Sequence, residues 1–294
     1  MSTNSKKSLL ALTLSMAIFG SIGIFRRYIP LPSSSLACFR GISGALFLLA
    51  AAKIQKKQLN LRIGLKKILW LAITGAVMGI NWILLFEAYN YTTVATATLC
   101  YYMQPTIVIL LSPLIFKETI TLKKWVCVIL SIIGMIFVSG LIETGIPPLS
   151  ESKGILFGIG AAIFYAAVVI MNKKLPGIDA YEKTIIQLLS AAIILVPYLL
   201  ISRQSFRVGW TPTVVVMLLI VGFVHTGMAY ALYFGSMDGV KAQTVAILSY
   251  LDPIMALLLS TVILNEQMSF FKIAGAILII GAALIGEIGI KRER

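Results

Sequence analysis

Apolar runs about twenty residues long recur along the whole chain, separated by short polar stretches rich in Lys, Gly and Pro. A helix needs ~20 residues to cross the hydrocarbon core of a bilayer. The runs predict ten spanning helices, at 8–26, 34–53, 67–88, 94–116, 122–142, 153–173, 181–202, 213–236, 242–264 and 270–290. Within lipid every backbone N–H and C=O must find a partner inside the segment, so the spans must be helices. The longest connection between them, AKIQKKQLNLRIGLKK, is basic, and none leaves room for a soluble domain.

The pattern also repeats. QPTIVILLSPLIFKETIT (104–121) parallels DPIMALLLSTVILNEQMS (252–269), so that Pro105 and Pro253, Glu118 and Glu266, and Thr121 and Ser269 each stand 148 residues apart. The same offset pairs Trp82 with Tyr230, Phe86 with Phe234, Thr96 with Thr244 and Tyr102 with Tyr250. A slightly shorter offset pairs AIF at 17–19 with AIF at 162–164. The chain therefore reads as two halves, 1–145 and 146–294, of five helices each. Five is odd, so the second half enters the membrane the other way up. Inverted repeats of this kind are a mark of secondary transporters, which place their sites at the midplane between the halves.

Composition sharpens the class. The chain of 294 residues is 59% hydrophobic and 12% charged, with a mean hydropathy of +0.96. A soluble domain is about half apolar and about a quarter charged, and this chain lacks the polar residues to cover a water-facing surface. The formal charge of +14 does not point to nucleic acid here, because basic residues hold membrane loops on the cytoplasmic side. With the N-terminus inside, 18 Lys and Arg residues fall on the inner segments and 6 on the outer ones. The expectation is a multi-pass plasma-membrane protein with both termini cytoplasmic. The first apolar run continues past the length of a signal core and reads as a spanning helix. Cys38, Cys100 and Cys127 lie inside apolar runs without metal-binding spacing, and His225 is the only histidine, so no metal site is expected. No nucleotide loop, zinc-protease motif or nucleophile elbow is present, so no cofactor and no catalytic residue is expected. The sequence leaves dimerisation open.

Asp252 and Pro253 stand together in SYLDPI, inside the apolar run from Val245 to Leu264. Asp252 lies ~15 Å into its helix at 1.5 Å per residue, and an ionised acid facing lipid there costs several kcal/mol. It is expected to face a wet cavity or the bundle interior. Pro253 has no N–H to give the carbonyl of Ser249, and Pro105, beside Gln104, does the same to Tyr101. Two interrupted helices at equivalent depths point to a transport site; a pair of structural kinks is the plainer reading. His225 is expected near the midplane as well. It reads either as a proton carrier facing the same cavity as Asp252, or as a neutral histidine bonded within the bundle. Arg40 and Glu87 lie at comparable depths toward the outer face and are expected to form a structural ion pair. Glu87 also reads as a cation-binding group, since its repeat mate is Gly235. Trp82, Phe86 and Tyr89 share one helix face. Tyr101, Tyr102 and Tyr250 flank the prolines, and Tyr165 and Tyr230 lie mid-helix, so these rings are expected to wall a cavity for an organic cation or an aromatic substrate. Glu118 and Glu266 read as structural groups tying turns to nearby N–H groups, with Thr121 and Ser269 capping the next helices. Gly75–Gly79 and Gly154–Gly158 are small-residue pairs that allow close helix contact.

FEAYNYTTVATATLCYYMQPTIVILLSPLIFKE in the first half and YALYFGSMDGVKAQTVAILSYLDPIMALLLSTVILNE in the second resemble tandem EamA-like domains of the drug/metabolite transporter superfamily. The shared pattern is a proline midway along the fourth helix of each half with a glutamate thirteen residues later. The resemblance covers roughly 9–286 and implies an all-α basket, with helices 1, 3, 4, 6, 8 and 9 around a central cavity. Members of the family move amino acids, sugars, nucleosides, organic cations and drugs. The expectation is secondary transport of a small polar or amphipathic metabolite, an amino acid or related compound, in the export direction and with proton coupling left open. The first alternative is transport of choline-like organic cations; an intramembrane enzyme or a non-transporting scaffold comes after it.

Overall fold

The computed structural model describes residues 3–57, 59, 63–117, 119–175, 177–201, 210–237, 240 and 242–288. Among these residues every regular element is helical. The first part of the chain forms α1 (Thr3–Arg27), α2 (Ser33–Ile54), α3 (Leu65–Tyr91), α4 (Val94–Tyr101), α5 (Gln104–Phe116), α6 (Leu122–Val138) and the single turn α7 (Leu141–Thr144). It continues with α8 (Leu149–Lys173), α9 (Ala180–Ile201), α10 (Pro212–Leu219), a π-helical segment (Ile220–Met228), α11 (Ala229–Met237), α12 (Ala242–Ser249), α13 (Leu251–Ile263) and α14 (Phe270–Ile288). Seven helical stretches are long and apolar enough to cross a membrane, counting Val94–Phe116 and Pro212–Ser236 as single stretches, and shorter apolar helices accompany them. Leu46, Ile73, Leu156, Ile193 and Ile277 stand exposed on the outer surface, as a lipid-facing wall requires.

Local sequence sets the helix ends. Thr93, Thr121 and Thr211 each accept a hydrogen bond from the backbone N–H three residues on, at 3.0, 3.4 and 3.3 Å, and Ser269 does the same for Lys272 at 3.2 Å. These are N-caps, satisfying donors that a first helical turn leaves open. The expected caps at Thr121 and Ser269 are therefore present. Glu118, expected to tie its turn, lies outside the described residues.

The heaviest packing joins the first half of the chain to the second. α3 lies on α8 and α9, α2 on α9 and the π segment, α1 on α11 and α13, and α6 on α14. Glycines make the closest approaches possible. A Cβ at Gly75 would meet the carbonyl oxygen of Gln187, one at Gly158 would sit 2.7 Å from Cys100 Cβ, and one at Gly20 would strike the carbonyl oxygen of Asp252. The last of these seats α1 directly against the break between α12 and α13. Leu36, Leu48, Phe86, Ile185 and Leu188 are buried in the main core, which spans both halves.

Candidate functional site

Both proline positions interrupt their helices. α4 stops at Tyr101 and α5 begins at Gln104, with Tyr102 and Met103 between them and Pro105 in the first turn of α5. Met103 N–H turns back to the carbonyl of Cys100 at 3.1 Å, three residues away rather than four. α12 stops at Ser249, Tyr250 caps α13, and Asp252 and Pro253 lie in its first turn. Tyr250 N–H likewise reaches back three residues, to Ile247 at 3.2 Å. Since proline lacks an N–H, the carbonyls of Tyr101 and Ser249 lose their usual donors.

Between the two breaks lies a cavity of about 480 Å³, within the size range of small-molecule sites. Trp82, Tyr101, Tyr102, Gln104 and Pro105 line it from the first half, and Tyr165, Tyr230, Tyr250 and Asp252 from the second. Nine of the expected site residues thus share one space. Ring contacts run along its wall: Tyr165 to Tyr101 at 5.3 Å, Tyr101 to Tyr102 at 5.9 Å, and Tyr102 to Tyr250 at 6.4 Å between centroids. Phe19 packs edge-on against Tyr230 at 5.3 Å. The Asp252 carboxyl lies beside the Tyr102 hydroxyl and within the field of Arg40. Pro253 is buried behind this wall.

Two expectations need correction. Arg40 does not pair with Glu87. Its Nε donates to Thr226 Oγ1 at 2.8 Å, and its guanidinium lies over the rings of Trp82 at 4.3 Å and Phe86 at 5.6 Å. Glu87 instead accepts from Asn90 Nδ2 at 3.2 Å, its charge acts on Arg26, and it does not line the cavity. Comparable depth was a sound reason to pair the two, but the facing of α2 carries Arg40 inward while Glu87 sits toward the end of α3. His225 does not share the cavity with Asp252 either. It is 1% exposed, with Nε2 at 2.8 Å from Ser21 Oγ, Nδ1 at 3.3 Å from the carbonyl of Ile220, and Phe25 against its ring. The bond to a carbonyl five residues back exists because this stretch is π-helical. Thr226 uses the same geometry, donating to the carbonyl of Val221 at 3.1 Å while it accepts from Arg40. π segments often occur at functional sites, and this one sets the position of Arg40.

Several wall residues were not anticipated as such, among them Arg40, which enters the cavity from α2. Tyr233 also lines it, and so does Phe19, whose place in the repeated AIF motif was the available signal. At one end the cavity reaches Lys124, in the first turn of α6, and Gly286, near the end of α14. Toward the other end a set of polar contacts ties the two halves together. Glu266 accepts from the backbone N–H groups of Val94 and Ala95 at 2.9 and 3.2 Å, and lies 3.4 Å from Arg27. Arg27 also donates to the carbonyl of Thr92 at 2.8 Å. Glu266 was expected to tie its turn to nearby N–H groups, and it does so; the N–H groups are those of the other half, where the first-turn donors and the positive end of α4 favour a carboxylate.

The model of the EamA-like transporter family matches this chain twice, over residues 6–140 and 152–286. The chain belongs to the EamA-like transporter family. Among similar proteins is one from Bacillus subtilis (strain 168) named Uncharacterized transporter YxxF, 28% identical over 95% of this chain and 88% of its own. Protein RarD of Escherichia coli (strain K12) is 22% identical over 90% of this chain and 89% of its own. Protein PecM of Dickeya dadantii (strain 3937) is 24% identical over 74% and 73%. A crystal structure of another protein superposes with a TM-score of 0.67 over 98% of both chains at 16% identity, a likeness of fold. The EamA-like chain is thus a multi-span membrane protein of a transporter family. Its cavity is where the two family matches meet, with wall residues drawn from both.

Proposed function

We propose that this EamA-like chain is a secondary active transporter that exports a small polar or amphipathic metabolite, an amino acid or a related compound, by alternating access. In this reading ten spanning segments form two inverted five-helix repeats, with both termini in the cytoplasm of the producing cell. The observation that carries it is the shape of the central cavity. It is walled by two interrupted helices, with contacts between the halves at the Glu266–Arg27 end, and reaches Lys124 and Gly286 at the other. In this reading those contacts shut one end while the other stays reachable, which is one half of an alternating-access cycle.

The packing supports the inverted repeat. Under the sequence offset, the contact of α3 with α8 has its mate in α1 with α11, and that of α3 with α9 in α2 with the π segment. The contacts of α2 with α9 and of α6 with α14 are their own mates. The charge bias of the loops supports a cytoplasmic position for the Lys124–Gly286 end, so in this reading the cavity is reached from the side on which exported cargo loads. Asp252 is the group placed to exchange a proton, since it alone among the expected proton carriers lines the cavity.

The test is flux. The purified protein in liposomes is loaded with an unlabelled panel of amino acids, amines, sugars and nucleosides, and counterflow of each labelled compound is measured with and without an imposed pH gradient. The reading expects counterflow of at least one panel member, accelerated by the gradient. Flux that ignores the gradient removes proton coupling; no flux for any compound removes the transporter reading.

A further inference from the structure

The open question about this cavity is which charge its cargo carries. Asp252 and the tyrosine wall fit an amine, and taken alone they favour a choline-like cation. Arg40 changes that balance. It is 5% exposed and lines the same cavity. Its Nε is committed to Thr226, and its flat face rests on Trp82. The two η nitrogens make no hydrogen bond to the described residues, and they are not among the buried polar atoms sealed off without partners. They therefore open onto the cavity. Among the described residues no ion pair joins Arg40 to Asp252, although each lies in the field of the other.

A guanidinium held by Nε and by one face leaves its other edge as a flat, two-pronged donor, the shape that takes a carboxylate in bidentate fashion. An unpaired charge buried at this depth is costly, and such groups in membrane helices mark substrate pathways. Here the cavity offers a fixed cation and an acid, not paired with each other, with aromatic rings alongside. A choline-like cation answers the acid but is repelled by Arg40. A molecule bearing both charges answers both groups at once.

Resting on the transporter reading above, in which the cargo is an amino acid or a related compound, we infer that Arg40 is the residue that selects that cargo, by holding its carboxylate. The ammonium group lies toward Asp252 and the Tyr102 hydroxyl, and the side group lies against the tyrosine wall. Thr226 acts through Arg40 as a positioning residue: the wide turn of the π segment brings its hydroxyl to Nε and so fixes the direction in which the η nitrogens point.

The probes are L-phenylalanine, L-phenylalaninamide, 2-phenylethylamine and 3-phenylpropionate, which keep or remove each charge on one skeleton, with choline as the fifth. Each competes against labelled L-phenylalanine in counterflow, and each is tested for thermal stabilisation of the purified protein. The wild-type chain is expected to take L-phenylalanine at least tenfold better than the amide, the amine or the propionate. Arg40→Gln is expected to lose at least tenfold for L-phenylalanine and little for the amide, so that the acid-to-amide preference collapses. Arg40→Lys restores part of that preference, and Thr226→Val weakens it without removing it. A structural role for Arg40 moves all probes together and leaves the preference intact, which overturns the inference. So does a wild-type chain that takes the amine or choline as well as the amino acid, a result that needs no variant to fold. In that case the transporter reading stands; a chain that moves none of the five, nor any compound of the wider panel, loses both.

Discussion

A carboxylate deep in a membrane helix needs polar company, and Asp252 has it in the Tyr102 hydroxyl and the field of Arg40. Asp252→Asn keeps the shape of the side chain and removes its charge. The expected outcome is an unchanged melting profile with counterflow reduced at least tenfold and no remaining response to a pH gradient. His225→Asn is expected to do the reverse: it breaks the contact with Ser21 and costs ~1–3 kcal/mol as a buried group loses its partner, while the gradient response survives in the folded fraction. Measuring both variants in parallel separates the cavity acid from the core histidine. Asp252, Tyr101, Tyr102 and Tyr250 were legible in the sequence because their signal is local, a charge and rings beside a proline in an apolar run. Arg40 and His225 were legible only as to depth. Their partners, Thr226 and Ser21, are chosen by how α1, α2 and the π segment rotate against one another, and no spacing along one helix records that.

Among the elements, the proline breaks follow directly from missing N–H groups, and both occur where the sequence puts them. The π segment had no such signal, because its hydrogen bonds to carbonyls five residues back depend on the packing of Thr226 and His225 against α2 and α1. Nor did the sequence reveal that Glu266 serves the start of α4 across the two halves. Glu266→Gln is expected to weaken two charge-assisted bonds. Hydrogen exchange at Val94 and Ala95 should then accelerate at least tenfold while amides in the middle of α9 keep their wild-type rates; unchanged exchange at Val94 and Ala95 would show that the carboxylate does not hold α4. A weaker tie joins the end of α2 to the start of α9, where Lys57 Nζ lies 3.0 Å from Asp179 and over the Tyr181 ring at 4.3 Å. Burial alone would raise the Asp179 pKa. The bonds from Lys57 and from the N–H groups at the start of α9 outweigh that and hold it below the ordinary carboxylate value. A depressed folded-state pKa stabilises above the unfolded value and is lost as pH falls through the folded one. Asp179→Asn should therefore lower stability at neutral pH by no more than a surface pair is worth, ~1 kcal/mol or less, and have no effect in strong acid, as a melting series across pH would record.

At the scale of the whole molecule, the doubled pattern in the sequence and the doubled family match describe one fact, and the packing of each half on the other gives it physical form. Neither half has its main core to itself: Phe86 and Leu188 belong to one buried cluster drawn from both. The space between the halves is where polar groups can be kept from lipid, and that is where Arg40, Asp252 and the tyrosines gather. The central claim is that this space is opened to one side at a time, with the contacts among Glu266, Arg27 and the start of α4 proposed as one closure. The most direct test uses Arg27→Cys with Glu266→Cys, bridged by a short bifunctional maleimide that is cleavable by reductant, in a chain whose buried Cys38, Cys100 and Cys127 are replaced by serine or alanine. The account predicts that each single-cysteine control keeps its counterflow on treatment, that the bridged protein still binds cargo but loses counterflow, and that cleavage restores it. Counterflow at the unbridged rate while the cross-link is intact would contradict it.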